Sequence, residues 1–138
     1  LLHQAREDYP RTAAAEQALL QIGNVQYARG AYPEAVQAYQ TYLEQYPSGA
    51  WVLLAALGKG YALEAQHRYE DAATTFRAFA ERYTGHSLRV EALMGLGRCL
   101  SQLNRATEAL EVYERVSDDY PGTPWAAQAQ RQMASLKP

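Results

Sequence analysis

Residues Gly30 to Pro47 read GAYPEAVQAYQTYLEQYP, and related versions of this stretch recur along the chain at a fixed interval. Its closing Tyr-Pro is the clearest marker. Tyr9-Pro10, Tyr46-Pro47, Tyr83-Thr84 and Tyr120-Pro121 each lie 37 residues apart. A period of that length indicates a stacked-repeat protein, in which each unit buries its apolar face against its neighbours.

Each 37-residue unit predicts two helices, because apolar residues recur at helical spacing and no alternating strand pattern competes with them. Thr12 and Thr123 stand where an N-cap hydroxyl accepts a backbone N–H. Gly30 and Asn104 tolerate the left-handed conformation that closes a helix, and His67 occupies the same repeat position. The first helices are predicted at 13–29, 50–66, 87–103 and 124–136, and the second helices at 33–46, 70–83 and 107–120.

One face of the second helix repeats from unit to unit. A small residue opens a stripe, and aromatic or apolar residues follow four and seven positions later on the same side of the helix. Glycine recurs at one position of the first helix, where it costs about 1 kcal/mol relative to alanine, so close helix contact is expected there. The aligned residues are Ala35/Ala72/Ala109, Tyr39/Phe76/Tyr113 and Tyr42/Phe79/Val116 in the second helix, and Gly23/Gly60/Gly97 in the first.

The bulk properties exclude several classes of protein. With 138 residues and 48% hydrophobic content, the chain is long enough for one domain with a core. A net charge of −2 and the lack of a Lys/Arg cluster argue against a nucleic-acid partner. The one cysteine, Cys99, offers neither an internal disulfide nor a zinc-type spacing. No apolar run is long enough to span a membrane, so direct membrane insertion is not expected.

The chain begins inside a unit, because Leu1 to Tyr9 align with Val112 to Tyr120, the second half of a repeat. We therefore expect it to be a fragment of a longer polypeptide. A targeting signal, a lipid anchor or further repeats would lie before Leu1, and the compartment depends on them.

These residues resemble the tetratricopeptide repeat, whose helix pair carries Leu-Gly in the first helix, alanine and then an aromatic in the second, and a closing proline. The Leu-Gly matches are Ile22-Gly23 and Leu96-Gly97. The resemblance covers nearly the whole chain and implies an all-α fold, a right-handed α-α superhelix of three full repeats. Its parts are 1–10, the end of a preceding repeat; 11–47, 48–84 and 85–121, the full repeats; and 122–138, a capping helix.

Two features depart from the common form. The period is 37 residues, whereas the common form has 34. This longer form resembles the repeats of bacterial cell-envelope proteins such as the Tol-Pal system coordinator and the outer-membrane assembly lipoproteins. This likeness implies a periplasmic or membrane-anchored protein facing the periplasm, with the cytoplasm as the alternative.

The second departure is Lys59, which occupies the repeat position that holds Ile22 and Leu96 in the other units. Either its stem extends out of the core, or the helix is rotated and Leu57 packs instead.

The resemblance places the functional surface on a concave groove lined by first helices, where a peptide or helical segment of a partner protein would bind. Leu20, Leu57 and Met94 would form its apolar centre. Only Asn24 matches the basic and asparagine residues of repeats that clamp chaperone tails, so that kind of clamp is not expected. The groove candidates, carried over by position, are Gln17, Leu20, Asn24 and Tyr27; Leu54, Leu57, Tyr61 and Glu64; and Glu91, Met94, Arg98 and Ser101.

Some of these candidates have a second interpretation. Tyr27 and Tyr61 do not occupy repeated structural positions, and tyrosine is favoured at binding surfaces. Tyrosine also packs on neighbouring helices, so both roles remain open at these two positions. Met94 is either a groove residue or a core filler, which is the more common role of a single methionine.

No catalytic, cofactor or metal site is predicted, and the protein is not expected to be an enzyme. Gly58-Lys59-Gly60 and Gly95-Leu96-Gly97 lie within helices and lack the strand and the Lys-Ser/Thr of a phosphate loop. No nucleophile, base and orienting group converge. Cys99 is expected to be buried and inert. The histidines are scattered along the chain and are expected to be surface or turn residues rather than metal ligands: His3, His67 and His86. The acidic cluster is expected to be a solvated outer face; it consists of Glu111, Glu114, Asp118 and Asp119.

Two functions follow from these patterns. The first is a non-enzymatic scaffold that binds a segment of a protein partner in a bacterial envelope complex. The second is a self-assembly module that stacks end to end through Leu1, Leu2 and the face of the first full helix that a missing half-repeat would cover. Trp51 and Trp125 are expected to cover junctions between units, and the polar last helix is expected to be a cap.

Overall fold

The computed structural model describes residues 12–137. The predicted half-repeat at 1–10, with His3, lies outside the described residues. Within 12–137 the chain forms seven α-helices and no strand. They are α1 (Ala13–Ala28), α2 (Tyr32–Gln45), α3 (Val52–Ala65), α4 (Tyr69–Arg82), α5 (Arg89–Gln102), α6 (Ala106–Asp119) and α7 (Pro124–Leu136).

The helix boundaries confirm the predicted ones to within two residues. The Thr12 hydroxyl accepts a hydrogen bond from the Ala15 N–H at 3.1 Å, and the Thr123 hydroxyl accepts one from the Ala126 N–H at 3.2 Å. Both predicted N-caps are therefore formed, and each satisfies a backbone donor that the helix leaves without an internal partner. Pro124 follows in the first turn of α7, as predicted.

Three helices close through the same left-handed turn. Gly30, His67 and Asn104 have φ of 77°, 59° and 60°. Only glycine adopts this conformation without steric cost. The repeat position thus fixes the backbone even where it holds histidine, whose Nδ1 lies 2.6 Å from the Tyr69 hydroxyl.

The described residues divide into two compact units, 12–66 and 67–137. In the described part of the first unit, α2 packs against both α1 and α3, and α1 also contacts α3. In the second unit, α5 packs against α4 and α6, and α7 packs against α6. Each unit therefore stacks its helices in sequence order, as expected of repeats.

The stripe of the second helices lies in the core, as predicted. Its alanines and its aromatic or valine residues are all buried in both units. A Cβ added at Gly23 would lie 2.6 Å from the Tyr39 ring, and one added at Gly97 would lie 2.5 Å from the Tyr113 ring. Gly23 and Gly97 therefore make room for the ring of the second helix, which explains their place inside a helix.

The glycines of the two dismissed phosphate-loop motifs serve the same purpose. Gly58 of α3 and Gly95 of α5 lie within helices. A Cβ added at Gly58 would lie 2.8 Å from the Tyr39 ring, and one added at Gly95 would lie 2.7 Å from the Phe76 ring. Tyr39 is consequently held between glycines of α1 and α3.

Candidate functional site

The exposed side of the first helices in the first unit carries six of the predicted groove residues. Gln17, Asn24 and Tyr27 lie on one side of α1, because they follow one another at seven and three residues. Neighbouring α3 contributes Leu54, which is 49% exposed, while Tyr27 is 37% exposed. We call this surface the first-helix face; it consists of Gln17, Asn24, Tyr27, Leu54, Tyr61 and Glu64.

Contacts with α2 position two α1 side chains of the first-helix face, Tyr27 and Asn24. The Tyr27 ring meets the Tyr32 ring edge-on, with centroids 5.3 Å apart. The Tyr39 hydroxyl donates a hydrogen bond of 2.6 Å to Asn24 Oδ1. Burial raises the pKa of Tyr39, and nearby Tyr27 adds to that effect. This hydroxyl therefore remains a donor at neutral pH. The Asn24 oxygen accepts its hydrogen bond from a core residue.

The predicted apolar centre of the groove is not a surface. Leu20, Leu57 and Met94 are only 4%, 5% and 1% exposed. Leu20 belongs to the apolar cluster that contains Tyr39 and Ala55. An apolar side chain at the edge between the groove side and the core side of a helix is buried by the neighbouring helices. The groove expectation is corrected at these three positions, and Met94 has the alternative role of core filler.

In the second unit, the other groove candidates of α5, Glu91, Arg98 and Ser101, are half-buried. Glu91 and Arg98 place opposite charges on the same helix, seven residues apart. The Ser101 hydroxyl donates to the Gly97 carbonyl at 2.9 Å, so its donor is used within its own helix. This side of the second unit therefore carries both an acidic and a basic side chain, whereas the first-helix face presents tyrosine, leucine, amides and the single charge of Glu64.

At Lys59, both expected arrangements occur together: its stem extends out of the core, and Leu57 packs. Its stem is half-buried, and its Nζ reaches α2 to donate a 2.6 Å hydrogen bond to Gln40 Oε1. Leu57 is buried at the same time. The ammonium thus keeps a polar partner while the helix packs through leucine.

The other candidates have structural roles. Cys99 is buried, as expected. His86 Nδ1 accepts the Leu88 N–H at 3.0 Å within a turn. Asp119, one of five exposed acidic residues on α6, pairs with Arg89 at 3.2 Å. Within residues 12–137, no group of three or more His, Cys, Asp or Glu side chains is arranged to hold a metal ion. No helix in this range has the length and apolar character to cross a membrane.

One exposed apolar surface lies on α1, the first full helix, a face of which was expected to take part in self-association, although the sequence did not single out its residues. Ile22 and Val25 on α1 are each 50% exposed. Their aligned residues, Leu96 and Cys99, are buried in α5. The repeat register predicts packing at all four positions, so no signal within α1 itself marks the difference.

Family comparisons agree with this architecture. A family model described as tetratricopeptide repeat matches residues 57–124, and a second model of the same description matches residues 17–49. The chain is built from tetratricopeptide repeats. This confirms the predicted fold family. A search of curated proteins found no match.

Solved tetratricopeptide-repeat domains share the fold. The TPR domain of Arabidopsis OM64 is 16% identical, with a TM-score of 0.70 over 88% of this chain and 96% of that one. The first TPR domain of Spaghetti (RPAP3), solved with the HSP90 peptide SRMEEVD, is 18% identical, with a TM-score of 0.71 over 90% of this chain and 94% of that one. Identities this low establish the fold alone. The envelope resemblance stays a prediction.

Proposed function

We propose that this protein is a non-enzymatic scaffold whose first-helix face binds a peptide or helical segment of a partner protein. The observation that carries the proposal is the exposure of two large apolar side chains, Tyr27 and Leu54, on adjacent helices of one unit. Tyrosine at such a site offers a large, amphipathic contact area at little cost in side-chain entropy. A structural neighbour that holds a peptide supports this general function.

The chemistry of the face favours apolar anchors over an acidic tail. The peptide bound to the Spaghetti domain contains the acidic sequence EEVD. Among the six residues of the first-helix face the one charge is Glu64, and the face contains no lysine or arginine. Asn24 already accepts a hydrogen bond from Tyr39. We therefore expect a ligand that places apolar side chains against Tyr27 and Leu54.

Selection of peptides from a displayed random library against the full chain tests this function. Tyr27→Ala and Leu54→Asp should each weaken a selected peptide by about tenfold or more, since exposed anchors at the centre of an interface dominate affinity. Tm should stay near that of the parent, because neither side chain is buried. Val25→Asp, an equally exposed apolar residue on another side of α1, is the matched control.

Tyr61→Ala and Arg98→Ala extend the test to half-buried positions. A loss of affinity at unchanged Tm would assign these residues to the binding surface. A fall in Tm with no selective loss of affinity would make them packing residues. If Tyr27→Ala and Leu54→Asp bind as the parent does, the proposed face is wrong.

The cellular setting is a second part of the proposal. We place the scaffold in a bacterial envelope complex, periplasmic or anchored and facing the periplasm. The support is the 37-residue period with its Tyr-Pro marker. Fractionation of the native source, with periplasmic and cytoplasmic marker enzymes, tests it. Recovery with the cytoplasmic marker would reject the envelope setting and leave the binding function intact.

A further inference from the structure

The side chain of Asn24 presents a hydrogen-bond donor to the first-helix face. Its Oδ1 accepts a 2.6 Å hydrogen bond from the hydroxyl of Tyr39, whose ring is buried. A carboxamide has one oxygen acceptor and one NH2 group, so this bond decides which end belongs to the core. Asn24 is exposed, and no hydrogen bond within the described part of the chain engages its Nδ2. The group that a ligand meets is therefore the NH2.

The aromatic anchor next to this amide is held in place before any ligand binds. Tyr27 lies on the same side of α1, and its ring meets the half-buried Tyr32 ring edge-on, with the two planes at 67°. Aromatic rings favour this arrangement. A restrained ring loses little side-chain entropy in a complex, so Tyr27 is a preorganised platform.

The two apolar anchors of the face lie at different levels along the helices. Leu54 aligns with Gln17, which precedes Tyr27 by ten residues. Short connections make α2 antiparallel to both neighbours, so α1 and α3 run in the same direction. A rise of about 1.5 Å per residue then separates the anchors by about 15 Å along the axis. A polyproline II segment, at about 3.1 Å per residue, covers this distance with about five residues.

A ligand matched to these groups offers carbonyl acceptors and few N–H donors. A helical ligand uses most of its backbone carbonyls in its own hydrogen bonds, and leaves Asn24 Nδ2 without a backbone acceptor. A polyproline II segment has no internal hydrogen bonds, and its proline residues have no N–H. Such segments bind in grooves lined by aromatic side chains. The chemistry of the face therefore favours an extended ligand that contains proline.

We propose that the first-helix face binds an extended, proline-containing segment of its partner. A proline ring lies on Tyr27, an aliphatic side chain packs on Leu54, and Asn24 Nδ2 donates to a backbone carbonyl between them. Tyr39 is a positioning residue, because it acts on the ligand only through Asn24. This inference rests on the function proposed above and names the class of peptide for the same face.

The probe is a fluorescein-labelled peptide of three Pro-Pro-Leu triplets and a closing proline. Its counterpart has alanine in place of every proline. The proline peptide should bind the full chain saturably and about tenfold more tightly than the alanine peptide, because it loses less entropy on adopting the extended conformation. Fluorescence anisotropy measures both affinities.

Two variants separate the ring from the amide. Tyr27→Leu keeps an apolar side chain without the ring, and should weaken binding of the proline peptide by about fivefold or more. Asn24→Asp still accepts the Tyr39 hydrogen bond but has no NH2, and should weaken it by about tenfold. Gln21→Glu is the matched control, since it changes an exposed amide of α1 outside the first-helix face, and it should leave the affinity unchanged.

Tyr39→Phe tests the positioning role. It keeps the buried ring but releases the Asn24 amide, so the affinity should fall by about threefold or more. In a double-mutant cycle, the loss caused by Asn24→Asp should be smaller in the Tyr39→Phe background. Additive losses would reject the positioning role.

Other outcomes decide between this inference and the proposed function. Equal affinity for the two peptides, each weakened by Tyr27→Ala, would reject the proline class and leave the scaffold function intact. Failure of the proline peptide to bind, while a library-selected peptide is lost in Tyr27→Ala and Leu54→Asp, would have the same meaning. Unchanged affinity in Asn24→Asp would remove the amide from the site. If neither the probe nor a selected peptide depends on Tyr27 and Leu54, both proposals are wrong.

Discussion

The α1–α2 hairpin of the first unit and the α5–α6 hairpin of the second use different chemistry at the same repeat positions. In the first, Tyr42 donates a 2.6 Å hydrogen bond to Glu16 Oε1. In the second, the aligned residues are Val116 and Val90, both buried. Repeat position therefore decides that these sites are enclosed, and the local sequence decides whether polar or apolar groups fill them.

The polar pair also orders the connection to α3. Glu16 Oε1 accepts the Ala50 N–H at 2.8 Å, and the Tyr42 hydroxyl accepts the Trp51 N–H at 2.9 Å. Gly49 leaves the space that this network needs, since an added Cβ would lie 2.6 Å from the Tyr42 hydroxyl. A polar network can thus take over the positioning of a linker.

The corresponding connection in the second unit relies on the half-buried N-cap of α7. The Thr123 hydroxyl donates to the Tyr120 carbonyl at 2.6 Å and accepts the Ala126 N–H. Val90 and Val116, whose side chains cannot form hydrogen bonds, contribute only apolar packing.

The largest expected effect is one that the two hairpins share. Tyr39→Ala and Tyr113→Ala should each lower the free energy of unfolding by about 3 to 5 kcal/mol, because both rings are buried against a glycine. Urea unfolding of each variant measures this. A loss below about 1 kcal/mol in one hairpin would show that its ring lacks the packing described.

A smaller effect should separate the hairpins. Glu16→Ala leaves the buried Tyr42 hydroxyl without its acceptor and should cost about 1 to 3 kcal/mol. Tyr42→Phe removes the other partner, so a double-mutant cycle with Glu16→Ala should give a coupling energy of about 0.5 to 3 kcal/mol. Additive losses in that cycle would mean that the two groups act independently, as two valines would.

The same pair predicts a pH dependence for the first hairpin. Burial and then the hydrogen bond to Glu16 raise the pKa of Tyr42 from 10.0 to about 12. The unfolded chain loses this proton first, so the stabilisation is complete below pH 10 and is lost as pH rises through about 12. The slope that Tyr42 contributes is at most about 1.4 kcal/mol per pH unit.

Tm measured against pH in the parent and in Tyr42→Phe isolates this contribution. Since burial also raises the pKa of Tyr39, a weaker decline should remain in the variant. Parallel curves for the two proteins would contradict the assignment to Tyr42.

The smallest expected effect lies in the turns of the hairpins, where Gly30 and Asn104 both have positive φ. Asn104→Gly should raise the free energy of unfolding by less than about 1 kcal/mol, because glycine avoids the steric cost of the left-handed region. Gly30→Asn should lower it by a similar amount. Calorimetry of the exchanged pair checks both signs, and two changes of the same sign would show that contacts outside the turn dominate.

The repeat register predicted the helices, the caps and the buried stripe, because each depends on local spacing that recurs at 37 residues. It could not predict exposure at the edges of a helix. Leu20 and Met94 sit between the groove side and the core side of first helices, and only their neighbours decide which side takes them. Ile22 shows the opposite case, since an apolar residue in a packing register is exposed.

The network around Glu16 was equally beyond prediction, because its members are distant in sequence and unique to one repeat. Glu16 and Tyr42 are 26 residues apart, and their aligned residues elsewhere are apolar. Nothing in the periodicity distinguishes a glutamate that faces the core from one that faces solvent.

The two tryptophans give the molecule a spectroscopic property of its own. Trp51 packs against the core of the first unit beside the Tyr42 network, and half-buried Trp125 lies in the first turn of α7 in the second unit. Each unit therefore carries its own fluorophore. With Trp51→Phe or Trp125→Phe, the remaining emission follows one unit alone. Coincident denaturation curves would describe one cooperative transition, and separated curves would resolve the stepwise unfolding that repeat proteins permit.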